Sequence, residues 1–283
     1  MAPVVTVNLD ELTTGLSKEN GVYFSGAGNG KAKVSYPEDG LRKLFEIEEN
    51  SYWFQHRNRC IVHFAKKYSV SGIFLDVGGG NGVVSKALQD NGFESIVVEP
   101  DQTGCHNSFL RGVKNVFLGS LEELPLLPEV EIGSIGAFDV IEHIEDDLGI
   151  LQKMHSVLSD EGFLYLCVPA FNSLWSKSDE HAGHFRRYSK KSISEVVERA
   201  GFQVVELSCF FTFLYFPILI MRSIPSKLGI SRVERDTTSR DHVPRNNAIS
   251  RVVRWILNGE FRSLKNGKRK KIGSSIILVA RKL

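Results

Sequence analysis

Phe74-Leu75-Asp76-Val77-Gly78-Gly79-Gly80-Asn81-Gly82 passes from an apolar segment through an acid into a run of glycines. A short apolar run bounded by a turn signal reads as a buried parallel strand. Beyond it Val83, Val84, Ala87 and Leu88 recur at helical spacing, and Asn91-Gly92 supplies a stop. The glycines therefore sit on a strand-to-helix turn, where a backbone without Cβ atoms lets a ligand come close. The next apolar strand, Ser95-Ile96-Val97-Val98-Glu99, also ends in an acid. Its offset is the one at which nucleotide-binding α/β folds aim a carboxylate at ribose hydroxyls.

The spacing narrows the ligand. A dinucleotide fingerprint is G-x-G-x-x-G. Here the glycines are Gly78, Gly80 and Gly82, and Val83 stands where the third Rossmann glycine belongs. An acid two residues before the first glycine also suits a cationic ligand better than a pyrophosphate. S-adenosylmethionine carries an ammonium and a sulfonium and no phosphate. At these residues the chain resembles the class I S-adenosylmethionine-dependent methyltransferases. The resemblance implies an α/β fold, Rossmann-like and doubly wound, with a seven-stranded mixed sheet whose last strand is antiparallel. It also implies S-adenosyl-L-methionine as cofactor.

Composition is compatible with that reading. The chain has 283 residues, 42% of them apolar, which is ordinary for a globular protein. Its four cysteines, Cys60, Cys105, Cys167 and Cys209, form no C-x-x-C pair. That argues against a disulfide framework or a cysteine zinc site and fits a reducing cytoplasm. Residues 1–16 lack a basic region followed by an apolar core, so no signal peptide is expected. The net charge of +2 hides an asymmetry: residues 222–283 hold 16 Lys+Arg against 4 Asp+Glu, and residues 1–221 hold 19 against 29. A basic C-terminal part suggests an anionic partner, with a merely solvated surface as the alternative. No RNA-binding motif interleaves the basic residues, so nucleic acid is not expected.

Three regions are expected. Residues 1–70 form an irregular arm (1–36) followed by lid helices over Leu41–Glu49 and Ser51–Tyr68. Residues 71–207 and 274–283 form the methyltransferase core. Its strands are Ile73–Val77, Ser95–Glu99, Asn115–Leu118, Gly133–Phe138, Gly162–Val168, Phe202–Leu207 and Ser274–Ala280. Residues 208–273 form an insertion before the last strand.

Carried over residue by residue, the resemblance implies that Asp76, Gly78, Gly79, Gly80 and Gly82 line the methionine end of the cofactor. Glu99 with Pro100 would meet the ribose, Ser120 and Leu121 the adenine, and Phe138 and Asp139 would pass beside the sulfonium. Tyr52-Trp53-Phe54-Gln55-His56-Arg57 resembles a W-F-x-x-R stretch of the same subgroup, which places Trp53 and Arg57 on a lid over the cofactor. An aromatic stripe of plain core is the alternative.

Two further motifs carry chemistry. Asp139-Val140-Ile141-Glu142-His143-Ile144-Glu145-Asp146 resembles the D-V-x-E-H segment of a subgroup that includes ubiquinone-biosynthesis O-methyltransferases. A neutral imidazole at His143 can accept a hydroxyl proton near pH 7; alternatively Glu142 and His143 only order the loop. A metal is not expected, because one E-H pair without a second ligand cluster is no metal signature. Trp175-Ser176-Lys177-Ser178-Asp179-Glu180-His181-Ala182-Gly183-His184-Phe185-Arg186-Arg187-Tyr188 resembles a G-H-x-R-R-Y segment associated with lipid and cell-surface methyltransferases. It adds His181 and His184 as rival bases, and Arg186, Arg187 and Tyr188 as substrate contacts, with arginine suited to bidentate anion recognition. A loop-stiffening Arg–Asp network is the alternative.

The insertion opens with the apolar run Phe210–Met221, too short for a spanning helix, which needs ~20 residues, and broken by Pro217. It can cap the substrate pocket, bury a homodimer interface or touch a membrane surface. Lys265, Lys268, Arg269, Lys270 and Lys271 follow as a basic cluster. Together they point to a small-molecule or lipid-linked acceptor and to a cytoplasmic protein with peripheral contact at the inner face of an anionic membrane. O-methylation of a sugar, lipid-linked or natural-product acceptor is the favoured reaction. C- or N-methylation, or a catalytically silent cofactor-binding module, are the alternatives.

Overall fold

The computed structural model describes residues 8–25, 40–68, 70–230 and 248–283. The rest of the N-terminal arm and residues 231–247 of the insertion, with the basic residues they contribute, lie outside the described residues. The strands are β1 (Leu16–Glu19), β2 (Val22–Ser25), β3 (Phe74–Val77), β4 (Ser95–Glu99), β5 (Asn115–Leu118), β6 (Ser134–Phe138), β7 (Phe163–Pro169), β8 (Phe202–Phe210) and β9 (Ser275–Lys282). They form a single mixed sheet in the order β1-β2-β5-β4-β3-β6-β7-β9-β8. Strands β3 to β7 are parallel, and β9 runs antiparallel between β7 and β8.

The strands expected from the sequence are all present, and β9 is antiparallel as expected. The count of seven needs correction: the described residues form nine strands. The two extra ones come from the segment read as an irregular arm. Leu16–Glu19 and Val22–Ser25 make a hairpin turning at Asn20-Gly21, and β2 adds to the free edge of β5 through Tyr23 and Phe24. Each strand is four residues long, too short to display a period of two. Its pairing with β5, about 90 residues onward, leaves no local trace.

Helices α1 (Leu9–Leu12), α2 (Gly40–Glu48), α3 (Tyr52–Lys67), α4 (Val83–Gln89), α5 (Gln102–Leu110), α6 (Asp147–Val157), α7 (Lys177–Ala182) and α8 (Lys190–Arg199) surround the sheet. In the insertion, α9 (Tyr215–Ile218) and α10 (Ile224–Lys227) are joined by a wider π-type turn over Leu219–Ser223, and α11 (Ala248–Lys265) follows.

The strands bury both faces, which is why they read as continuous apolar runs. Alternate residues feed opposite layers. Leu75, Ile135, Leu164, Leu166, Leu278 and Ala280 join the core under α6 and α8. Phe74, Phe138, Tyr165, Cys167, Ile277 and Val279 join the core under α3, α4 and α11. All four cysteines are buried and unbridged.

Strand β8 runs to Phe210, three residues past its expected end, so the apolar insertion begins inside the core: Phe210 and Phe211 are fully buried. A buried carboxylate then fastens the chain. Glu260 of α11 accepts the backbone N–H groups of Phe211 and Thr212 (both 2.8 Å) and pairs with His56 of α3 (2.9 Å). Burial pushes the Glu260 carboxyl up, but the bonds from His56 and Thr212 outweigh it and hold its pKa below the usual range.

Candidate active site

The carboxyl ends of β3, β4, β6 and β7 open into a cavity of about 950 Å3. This is the edge where open α/β sheets bind ligands, and the volume lies near the upper end of ordinary small-molecule sites, ~300–1,000 Å3.

Its first wall is the glycine turn. Gly78 and Gly80 have φ of +68° and +53°, the left-handed region that glycine enters at low cost. Gly78, Gly79 and Gly80 line the cavity, as do Glu99, Pro100, Ser120 and Leu121. Glu99 is nearly buried, and its two carboxylate oxygens accept the N–H groups of Gly80 and Asp101 (both 2.8 Å). Burial raises its pKa to about 7, with those two bonds opposing the rise. Asp76 and Gly82 do not line the cavity. Asp76 lies beneath the turn, accepts the Ser85 hydroxyl (2.8 Å), and burial lifts its pKa to about 6. Gly82 starts α4 at φ +71°, and a Cβ there would stand 2.7 Å from Ser108 Oγ. Both support the turn from behind.

Several residues that the motif reading did not single out complete this wall. Asn81 donates to Leu41 O (2.8 Å) and Glu48 Oε1 (3.2 Å), and accepts from Asn107 (2.8 Å). Arg111 donates to Asn81 O and pairs with Glu48 (2.7 Å). This network ties α2 and α5 to the glycine turn. The one sequence signal was a polar residue set between glycines.

The second wall carries the residues expected on the lid and beside the sulfonium. Trp53, Phe54, Arg57, Phe138 and Asp139 line the cavity. Arg57 is buried, pairs with Asp139, and sits 4.9 Å from the Trp53 ring centroid. Trp53 in turn stacks on Phe211 of the insertion, 5.4 Å away and 5° from parallel. Asp139 has φ +59°, and Phe171 and Phe211, just past β7 and β8, have φ +56° and +54°. Such backbone is strained for aromatic residues, and here it clusters at the ligand edge of the sheet.

The third wall is made by the two motif loops. Phe185 N–H donates to Glu142 O (2.8 Å), which joins the loop after β6 to the loop after β7. His143 and His184 both line the cavity, with ring centroids 4.7 Å apart and nearly perpendicular. His184 Nδ1 lies 2.9 Å from Asp179 Oδ1, and Arg187 Nε donates to the same oxygen at 2.7 Å. Burial pushes the Asp179 carboxyl up, but His184 and Arg187 outweigh it and leave its pKa below the usual range. Glu142 is fully buried; burial, with Asp139 adding repulsion, drives its pKa well above normal.

The other histidine candidate is placed apart: His181 is exposed on α7 and does not line the cavity. Arg187 lines it; Arg186 and Tyr188 do not. Arg186 donates to Ile144 O (2.9 Å) and Glu145 O (2.6 Å) and pairs with Asp147, while the Tyr188 hydroxyl donates to Asp147 at 2.8 Å. Arg186 and Tyr188, expected as substrate contacts, thus have polar atoms engaged between the two loops and lie outside the cavity lining.

A family model described as a methyltransferase domain matches residues 48–207. The chain belongs to that family, and S-adenosylmethionine is its cofactor. A relative from Mycolicibacterium smegmatis, a probable S-adenosylmethionine-dependent methyltransferase, is 25% identical over 171 residues, covering 59% of this chain and 66% of its own length. Among solved structures, a possible histamine N-methyltransferase from Thermotoga maritima superposes with a TM-score of 0.52 at 16% identity, over 87% of this chain and 95% of its own. The cyclase SpnF reaches 0.51 at 17% identity, over 88% and 87%. At such identities the two structures are evidence for the fold alone, and one fold serves many chemistries.

Proposed function

We propose that the protein transfers the methyl group of S-adenosylmethionine to a hydroxyl oxygen of an amphiphilic, anionic acceptor, such as a lipid-linked or sugar molecule. The observation that carries this reading is the meeting, in one cavity, of the glycine turn with Glu99 and of the imidazoles of His143 and His184. The cofactor supplies a methyl group already activated on a sulfonium, so much of the protein's work is positioning.

The donor set suits that cofactor. Glu99 is fixed by two backbone bonds and keeps lone pairs for ribose hydroxyls, while Gly78 and Gly80 leave an approach that side chains would narrow. Ser120 and Leu121 would face the adenine. Trp53 and Phe54 exclude water from the sulfonium side. The Asp179 carboxylate holds Nδ1 of His184 as the protonated nitrogen, which leaves Nε2 as the acceptor for a hydroxyl proton.

The cap supports the acceptor class. Ile218 joins the cavity wall, while Phe216, Ile220, Ile224 and Leu228 recur every four residues and are 59%, 61%, 44% and 65% exposed. An outward apolar stripe of this kind suits an acyl chain or a membrane surface. Arg222 of the cap lies within electrostatic reach of Arg187 and Asp179 at the cavity, which favours an anionic group there. The basic cluster contributes less than its sequence suggests, because Arg269 is paired with Glu206 (2.8 Å). Among the described residues no helix is long and apolar enough to cross a membrane, so contact would be peripheral.

The test is formation of S-adenosylhomocysteine with a lipid extract and, separately, with a water-soluble metabolite extract. The product is then assigned as an ether, amine or carbon-methyl compound. Turnover with the lipid fraction and a methyl ether product is expected. An N- or C-methylated product, or turnover only with soluble metabolites, rejects the corresponding part of the proposal.

A further inference from the structure

Glu142, His143 and His184 come from two loops more than 40 residues apart, yet one ligand atom from each lies within 4.8 Å of the other two. Glu142 is fully buried and borders the cavity, and neither carboxylate oxygen has a hydrogen-bond partner among the described residues. A buried carboxylate left without donors is costly. Either a proton, which its raised pKa favours, or a cation bound from the cavity can relieve it. His184 is set up in a complementary way. Its Nδ1 is engaged by the buried Asp179, itself held by Arg187, so Nε2 remains for a ligand. An imidazole backed by a carboxylate is the usual outer arrangement of a metal-bound histidine.

We propose that Glu142, His143 and His184 bind a divalent first-row transition cation, with Asp179 orienting His184 behind it. Two imidazoles and one carboxylate favour a zinc-like or cobalt-like ion over magnesium or calcium, which take mainly oxygen ligands. Donors on one tetrahedral zinc stand about 3.4 Å apart for bonds of ~2.1 Å. Shifts of about 1 Å, within reach of side-chain rotation, close the present set. Three protein donors leave a coordination position on the cavity side, as catalytic metal centres do. The role deepens the O-acceptor reading and rests on it: with the ion bound, the ion replaces His184 Nε2 as the group that activates the hydroxyl, and a hydroxyl coordinated there gives up its proton more readily, to solvent at the cavity mouth. The expectation of no metal arose because a lone E-H pair does not reveal its third ligand. Folding brings that ligand from the other loop.

The full chain, stripped with a chelator, is titrated with Co2+ and followed by visible absorption, with Zn2+ as competitor. S-adenosylhomocysteine binding is measured by calorimetry on the same samples. One saturable Co2+ per chain, displaced by Zn2+, is expected. Glu142→Gln and His184→Ala should each weaken it by at least about tenfold, and Asp179→Asn by ~10–100-fold. His106→Ala, on the exposed side of α5, should leave it unchanged. Retained S-adenosylhomocysteine affinity shows that each variant is folded. Absence of saturable Co2+ binding in the parent chain, or undiminished binding in E142Q and H184A, overturns the proposal. S-adenosylhomocysteine binding without Co2+ removes the metal site and leaves the methyltransferase reading. Co2+ binding without S-adenosylhomocysteine does the reverse.

Discussion

The two ends of the cavity are built on opposite principles. At the end proposed for the cofactor the polar groups of the glycine turn are largely satisfied within the protein: Glu99 by Gly80 and Asp101, Asn81 by Leu41, Glu48 and Asn107, and Gly80 O by Ser108. At the end proposed for the acceptor the Glu142 carboxyl oxygens are buried with no hydrogen-bond partner among the described residues, Asp139, Phe171 and Phe211 hold left-handed backbone, and the insertion turns Phe216, Ile220 and Leu228 outward. A fixed, internally bonded end suits a ligand that is the same in every turnover. An end with unmet polar groups and exposed apolar surface suits a partner that completes it on arrival.

The contrast can be broken most severely at the rigid end. Gly80→Val should abolish S-adenosylmethionine binding, a loss of at least ~100-fold. It puts a β-branched residue at φ +53° on the cavity wall. Isothermal calorimetry checks it, and unaltered affinity would place the cofactor elsewhere.

At the other end, His143→Ala and His184→Ala should lower kcat by ~10²–10⁴-fold while cofactor affinity changes little. His181→Ala, on the exposed face of α7, should remain near the parent rate. If His181 alone proves essential, the acceptor is not where these loops place it.

A gentler probe uses the Glu99 carboxyl, whose pKa burial raises to about 7. Hydrogen bonds from ribose hydroxyls favour the ionised form, so S-adenosylmethionine affinity should rise with pH through about 7. Glu99→Gln should cost about tenfold in affinity and flatten that rise. The sign for stability is opposite. A raised folded-state pKa contributes stability below the unfolded value of ~4.3, lost as pH climbs through about 7. The parent chain should therefore lose more Tm than Glu99→Gln across that window.

The smallest effect is expected at the cap. Replacing Phe216, Ile220 and Ile224 with Ser should leave the fold and cofactor binding intact, because all three are exposed. Co-sedimentation with anionic vesicles should fall several-fold. Unchanged sedimentation, or none in the parent chain, would leave the stripe without a membrane role.

Much of this was readable along the chain, and the residues say why. Phe74–Gly82 and Ser95–Glu99 fix strand, turn and acid because the period of the apolar residues, the φ freedom of glycine and the position of a carboxylate are local properties. The antiparallel direction of β9 was implied by the family resemblance and not by this local pattern, and the order of the strands came only with the structure. The sequence placed His143 and His184 at the ligand edge but did not separate them from His181, which lies only three residues before His184. The difference is which way each faces after α7 ends at Gly183 in left-handed backbone.

Tertiary structure decided the rest. The β1–β2 hairpin exists because β5 offers a free edge, and short strands become stable only when paired. Asp76, Arg186 and Tyr188 belong to motifs but support the cavity from outside, since Ser85 and Asp147 draw their polar atoms away. The Glu142–His143–His184 cluster is a distance between loops, and a distance between loops is set by the packing of β6 against β7. Sequence spacing encodes what a segment can do by itself. Which partners its side chains meet depends on folding, because those partners come from far along the chain.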